Sequence, residues 1–495
     1  MQIQLKSIPQ VSWHAIGVLS FLLFFTQVIQ GTSIQFASNI LFFNLLLGTT
    51  FNFCGGLNTV FGWLLSLLAF RQVVLSQMVK VLFWQPADLN LASPIETSQV
   101  YAIGMGMICL SSLLIYKLNL NRLRLVKPHS PNIDSRLSTV VFVIGLVSTF
   151  LAQKRGNAPL ILTPLLNALS YVGSLMLLGL IFEVQCTLTQ TKGKTLLSLK
   201  GFLMLCFLFG RGLLVASKQV MFEPLFSIFL VLLFNQVRIK KKEMFFVVFV
   251  VATMGLVLAP FSDHGRNLKY ENESSLRLSV LKNYFLKNFS SWENYTDYLS
   301  KLREETVKSR AGDFYFGEPL FLVDRLSLIF DADKMISYYS ASEPEGMRYL
   351  ASQIFFLPRS LTGSWLELDE QRGSILARKL GIITEDDEVT GVSFGSFAEA
   401  YAIGKWWGLV GLVLFVYTLF QWGLALIDVS GNSRVWSIFL IVYLQQVATE
   451  TGVLGNALLV FRMIPLLFLI KKALELLENQ LGRYSIISLG RSDHA

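Results

Sequence analysis

Long apolar runs alternate with short polar segments over most of the chain. Runs near the length a helix needs to cross a hydrocarbon core, roughly 18 residues or more, predict spans near 12 to 30, 34 to 52, 56 to 84, 98 to 117, 137 to 153, 159 to 184, 198 to 216, 220 to 237, 244 to 261, 402 to 426, 434 to 453 and 456 to 470. The pattern predicts an all-α polytopic membrane protein of about 12 transmembrane helices. Arg71, Gln72, Gln77 and Lys80 interrupt the third run, which reads either as one span or as a short span followed by an interfacial helix. From 262 to about 400 the pattern changes: charged residues become frequent and apolar ones recur at helical spacing, as from Tyr284 to Leu299. This is expected to be a mostly helical external subdomain, because a connection this long between helices is uncommon unless it is functional. The organisation expected is transmembrane helices 1 to 9 over 1–261, the external subdomain over 262–401, helices 10 to 12 over 402–470 and a cytoplasmic tail over 471–495.

Composition agrees with that pattern. Of 495 residues, 53% are hydrophobic and 15% charged, and the mean hydropathy is +0.54. An ordinary soluble enzyme is excluded, since 40 Phe and 9 Trp carry more apolar surface than water-soluble cores hide. Lys6 followed by an apolar run to Ile29, with no small-residue cleavage site, reads as a retained first span. Cys54, Cys109, Cys186 and Cys206 lie in or beside apolar runs without paired spacing or nearby His, which makes them packing residues. No phosphate-binding loop, dinucleotide fingerprint or zinc helix motif is present, so neither cofactor nor metal is expected.

The net charge of +9 sits largely in clusters that flank apolar runs, which is a topology signal rather than a nucleic-acid footprint. Arg122, Arg124, Lys127 and Arg136 form one cluster, Lys192, Lys194 and Lys200 another, Arg238 to Lys242 a third, and Lys471 with Lys472 the last. Every second loop is basic, which assigns these loops and both termini to the cytoplasm and residues 262 to 400 to the outside. Lys154 with Arg155, Arg211 with Lys218, and Arg462 depart from the rule. Snorkelling at a helix end accounts for any one of them. Together, near one depth, they suit an anion at the outer leaflet such as a lipid-linked pyrophosphate.

In the external segment, Pro358 ends an apolar stretch and aims Arg359. Asp331-Ala-Asp333 reads either as a two-carboxylate metal clamp or as a helix cap at the start of Asp333-Lys-Met, the cap being the plainer reading. The run Glu385 to Glu388 reads as a solvated turn. His264 is the one external histidine of four, hence the candidate imidazole base. Gly391 to Gly411 runs from a small-residue loop into a span with Glu399 and Tyr401 at its mouth, which periodicity alone reads as a helix start with close packing.

The order of these parts resembles bacterial O-antigen or oligosaccharide repeat-unit polymerases of the Wzy type. A tight basic turn near Arg211 and Lys218 precedes a large external loop; Leu357-Pro-Arg359 lies late in that loop; and Phe397-Ala-Glu-Ala-Tyr401 leads into a span rich in Gly and Trp. The chain departs from the pattern after the Pro-Arg pair, where it has Ser360-Leu-Thr-Gly-Ser-Trp365 and no Lys-Pro. The resemblance, over roughly 140 to 470, implies a GT-C-like membrane glycosyltransferase that joins repeat units from polyprenyl pyrophosphate at the outer face of the cytoplasmic membrane. It implies no nucleotide sugar and no nucleic acid; a flippase and a chain-length regulator are the protein partners it suggests. Glu399 would be the base, with His264, Asp324 and Glu450 behind it. Arg155, Arg211, Lys218, Arg359 and Arg462, with Tyr401, would bind substrate. A ligase of finished chains and a transporter of the same lipid-linked saccharides are the alternatives.

Overall fold

Polar residues placed just before apolar runs open the first helices of the chain. The computed structural model describes residues 2–4, 10–118, 135–153, 171–214, 217–240, 283–309 apart from 285, 314–318, 322–346, 372–383, 392–427 and 434–476, with a few isolated positions between these stretches. After the short strand β1 (Gln2–Gln4), Ser12 accepts the N–H of Ala15 at 3.2 Å and starts α1 (Trp13–Ile29), which α2 (Ile34–Phe53) follows. Thr59 accepts from Gly62 at 3.1 Å and starts α3 (Val60–Leu82), and Pro94 stands in the first turn of α4 (Pro94–Lys117). Helices α5 (Ser135–Gln153), α6 (Leu175–Gln190), α7 (Leu199–Leu214) and α8 (Lys218–Phe234) follow, then strand β2 (Arg238–Lys240). The 262–400 segment contributes α9 (Trp292–Ser309), α10 (Leu322–Leu326), α11 (Ile329–Ala341) and α12 (Arg372–Lys379), all helical as expected. The chain then returns to the bundle with α13 (Ser396–Ile427), α14 (Val435–Glu450) and α15 (Gly452–Leu476).

Six of these helices, α2, α3, α4, α5, α13 and α15, are long and apolar enough to cross a membrane, and α1, α6, α8 and α14 are shorter apolar helices. The chain is thus a helical membrane protein. The span expected over 244–261 and the beginning of the sixth lie outside the described residues. The third run, open to two readings, is one continuous helix: a π-turn at Phe70–Val74 absorbs Arg71 and Gln72 without ending it.

Packing divides the helices into two groups. Helix α4 packs on α2 and α13, and α13 on α15; α6 packs on α5 and α8, and α8 on α7. Helix α14 joins the groups by touching α3, α6 and α8. At one end, β1 pairs antiparallel with β2, bringing the N-terminal strand to the basic loop at Arg238–Lys240. The same end holds Arg434, which donates to Asn58 at 3.4 Å, and Lys471, whose Nζ caps the last carbonyls of α13 at Ile427 at 2.8 Å.

Part of the 262–400 segment packs on the opposite end. Helix α11 buries Ile329, Ala332, Met335, Ile336 and Tyr339 against α4 and α13. The Asp331/Asp333 reading is corrected here. Asp333 lies inside α11 and caps α4 instead, its carboxylate accepting from Ala92 N at 2.5 Å, Ser93 N at 3.1 Å and Thr97 Oγ1 at 2.7 Å. Burial pushes that carboxyl above its ordinary value while these donors pull it down. Beside it, Lys80 is wholly buried with its Nζ 4.4 Å above the ring of Tyr315, whose hydroxyl donates to Ala87 O at 2.6 Å.

Candidate functional site

Helix α13 is two helices. Gly404 (φ −150°, ψ 23°) and Lys405 (φ 50°, ψ −138°) leave helical geometry and divide a short segment, 396–403, from the long one, 406–427. Such a break releases carbonyls that must find donors. The 262–400 segment supplies them: Glu345 N donates to Ala402 O and Gly346 N to Ile403 O, both at 3.0 Å. Glu399 and Tyr401 therefore sit on a separate short helix rather than at the start of the span.

Glu399 crosses from that short helix to the last span. Its Oε2 accepts the N–H of Leu454, in the first turn of α15, at 2.9 Å. A side chain at Gly452 (φ +74°) would collide with this carboxylate, so glycine is required there both for its backbone conformation and for its lack of a Cβ. Glu399 is a cap, though of α15 and not of its own helix, and its charge faces the favourable end of the helix dipole.

Just before Gly452, Glu450 ends α14 and meets Arg71 from the π-turn of α3. Arg71 Nη1 donates to Glu450 Oε1 at 2.5 Å and to Thr449 Oγ1 at 3.4 Å, and Arg71 Nε donates to Leu326 O at 3.4 Å. Leu328 N returns a bond to Arg71 O at 3.0 Å, so the segment around Leu326–Leu328 clasps the π-turn on both sides. Gln446 holds the other Glu450 oxygen at 3.0 Å. The pair is partly open, with the Arg71 side chain 12% and the Glu450 side chain 29% exposed.

The next residue, Gln72, is wholly buried, and neither Nε2 nor Oε1 has a hydrogen-bond partner among the described residues. Its amide lies against Gly395 (φ +79°), where a Cβ would stand 3.0 Å from Nε2. Ser396 adjoins and closes a network in which Tyr417 OH donates to Ser396 Oγ at 3.0 Å, while Asn456 Nδ2 donates to Ser396 Oγ at 3.0 Å and to Tyr417 OH at 3.1 Å. Helices α3, α13, α14 and α15 thus converge at the α14–α15 turn.

The structure brings Glu399 and Glu450 to that turn. Asp324 stands just before the segment that clasps Arg71, its carboxylate accepting from Leu320 N at 2.5 Å. Tyr401 is buried, and its hydroxyl donates to Glu96 in the first turn of α4, bracing α13 against α4. Arg211 is at the far end of α7, in the field of Glu223 on α8, whose carboxylate accepts from Gln219 at 2.5 Å. Lys218 is the first residue of α8. Arg462 lies in a second π-turn, Leu459–Met463, within α15. His264, Arg155 and Arg359 lie outside the described residues. Sequence reasoning missed Arg71 and Gln72 as site residues, although their signal was present: two polar residues side by side within an apolar run, where each is costly without a task. Comparison with known protein families, with curated proteins and with solved structures finds no match for the chain, so its activity must be read from its own residues.

Proposed function

We propose that the protein is a multi-pass glycosyltransferase of the bacterial cytoplasmic membrane. It would polymerise polyprenyl-pyrophosphate-linked oligosaccharide repeat units into a surface polysaccharide, as the resemblance to Wzy-type polymerases implies. One observation carries the reading: the α14–α15 turn gathers Glu399 and the Arg71–Glu450 pair, from distant parts of the chain, beneath the external subdomain.

In this reading the hydroxyl of the acceptor sugar attacks the anomeric carbon of the donor. Glu399 takes the hydroxyl proton as the new glycosidic bond forms. The bond from the anomeric carbon to pyrophosphate breaks, and polyprenyl pyrophosphate leaves with the electron pair. Arg211, Lys218, Arg359 and Arg462 supply positive charge toward it. Neither metal nor nucleotide sugar takes part.

The test is chain growth by purified protein given lipid-linked repeat units. Glu399→Gln keeps the size and the acceptor oxygen of the cap but cannot take a proton, so elongation should fall on the order of a hundredfold or more. Elongation close to wild type removes Glu399 from the chemistry. A transport reading is favoured by the helix break at Gly404–Lys405, since broken helices line many transporter sites; transfer of the lipid-linked saccharide across vesicles without chain growth would establish it. Transfer of finished chains to a lipid acceptor would instead identify a ligase.

A further inference from the structure

We infer that Arg71 is the seat of a phosphate-bearing anion and that Glu450 occupies it in the resting protein as a displaceable counter-ion. This rests on the lipid-pyrophosphate chemistry proposed above and names the group that receives the charge.

An arginine within an apolar span is expensive to keep and calls for a partner. Arg71 is set on a π-turn, a backbone irregularity frequent at functional sites, which shifts its side chain out of the ordinary helical register. Its planar guanidinium donates to carboxylate and to phosphate oxygens with the same geometry, so one anion can replace the other. Glu450 is the more exposed member of the pair, and Gln446, one turn earlier on an exposed face, already holds its second oxygen. Glu450 can therefore leave Arg71 without losing all its hydrogen bonds.

The surroundings are built for more polar contacts than the resting fold makes. The Gln72 amide is buried and unpartnered next to Arg71, and Asn456 Oδ1, also wholly buried, has no partner among the described residues. Buried polar groups are ordinarily hydrogen-bonded, and exceptions call for an explanation. The Gln72 amide is a donor to a phosphate oxygen or to the sugar hydroxyl that follows it. Thr449, whose Oγ1 accepts from Arg71, is a further polar side chain at the same place.

The proposal makes a prediction of sign that a structural ion pair does not. Binding of polyprenyl pyrophosphate to full-length protein in nanodiscs should tighten about tenfold in Glu450→Gln, because the competing anion is gone. It should weaken about tenfold in Arg71→Lys, which keeps the charge and loses the fork, and vanish in Arg71→Gln. If Arg71→Gln fails to fold, Glu450→Gln decides alone: affinity unchanged or weaker overturns the proposal. Competition identifies the source of the anion, free pyrophosphate displacing the lipid if a soluble phosphate binds and phosphatidylglycerol displacing it if a bilayer headgroup does; either, with the Glu450→Gln sign intact, supports the seat. Tight binding with these signs but no chain growth would refute the polymerase reading and leave this one standing. Normal chain growth in a folded Arg71→Gln would refute this one alone.

Discussion

Two of the ion pairs among the described residues, each joining separate helices of the bundle, are built differently. Lys200 Nζ lies 2.5 Å from Glu183, whose carboxylate also accepts from Ser138 and Ser198, each at 2.6 Å. The Glu183 side chain is 4% exposed and the Lys200 side chain 32%, and the pair joins the regular helices α5, α6 and α7. Arg71 and Glu450 share the same charges and the same 2.5 Å separation, but the arginine stands on a π-turn and is 12% exposed, the Glu450 side chain is 29% exposed, and the amide of Gln72, the next residue, has no partner among the described residues. In the first pair the carboxylate is the enclosed member, met by the hydroxyls of Ser138 on α5 and Ser198 just before α7. In the second the carboxylate is the open member, and the residue after the arginine carries an amide with no partner among the described residues. A buried charge by itself therefore does not identify a site; incomplete satisfaction on irregular backbone does.

The comparison breaks most directly at Glu183. Removing it takes the acceptor from the Ser138 and Ser198 hydroxyls, while Lys200, 32% exposed, keeps Ser135 and Thr139, so Glu183→Ala should lower stability by about 1–3 kcal/mol, read as thermal unfolding in detergent. Chain growth per folded molecule should stay at the wild-type level; a loss of activity without a loss of stability would make this pair functional and end the contrast. At the open end, Glu399→Gln should change stability by about 1 kcal/mol or less, while elongation falls by the factor given above. The opposite balance, unfolding with elongation intact per folded molecule, would make Glu399 only a cap.

Asp333→Ala removes the acceptor of three hydrogen bonds at the start of α4. A loss of about 2 kcal/mol is expected, within the range for stranding a buried donor, together with faster protease cleavage in the 262–400 segment. Unchanged protease resistance would mean that α11 docks without its cap. The smallest effect sharpens the comparison most. Gln72→Leu exchanges an unpartnered buried amide for an apolar side chain of similar size, so stability should hold or rise by about 1 kcal/mol, while affinity for polyprenyl pyrophosphate falls. A clear loss of stability would show that the amide belongs to the resting fold.

Much of the architecture was legible before folding. The boundaries of α1, α2, α5 and α14 follow the apolar runs closely, since bilayer thickness sets the length of such runs. Helix α13 departs from expectation because Gly404 and Lys405 break it, and the break persists only because Glu345 and Gly346, remote in sequence, supply donors to the exposed carbonyls. Glu399 was legible as a helix-terminal carboxylate, but the helix it caps was not, because a cap's partner is set by packing when the two lie on different spans. Asp333 repeats the lesson, a residue inside α11 capping α4.

The sequence alone determined that this chain is helical and membrane-embedded and that the 262–400 segment is more polar than the apolar runs on either side of it. Those properties depend on the amount and period of apolar surface, which are local and additive along the chain. Only the tertiary structure decided that Arg71 meets Glu450, that Glu399 reaches α15 across Gly452, and that Gln72 is enclosed beside Gly395 without a partner. Each of these is a distance between segments hundreds of residues apart or on separate helices, and no periodicity along one helix encodes which neighbour it will face.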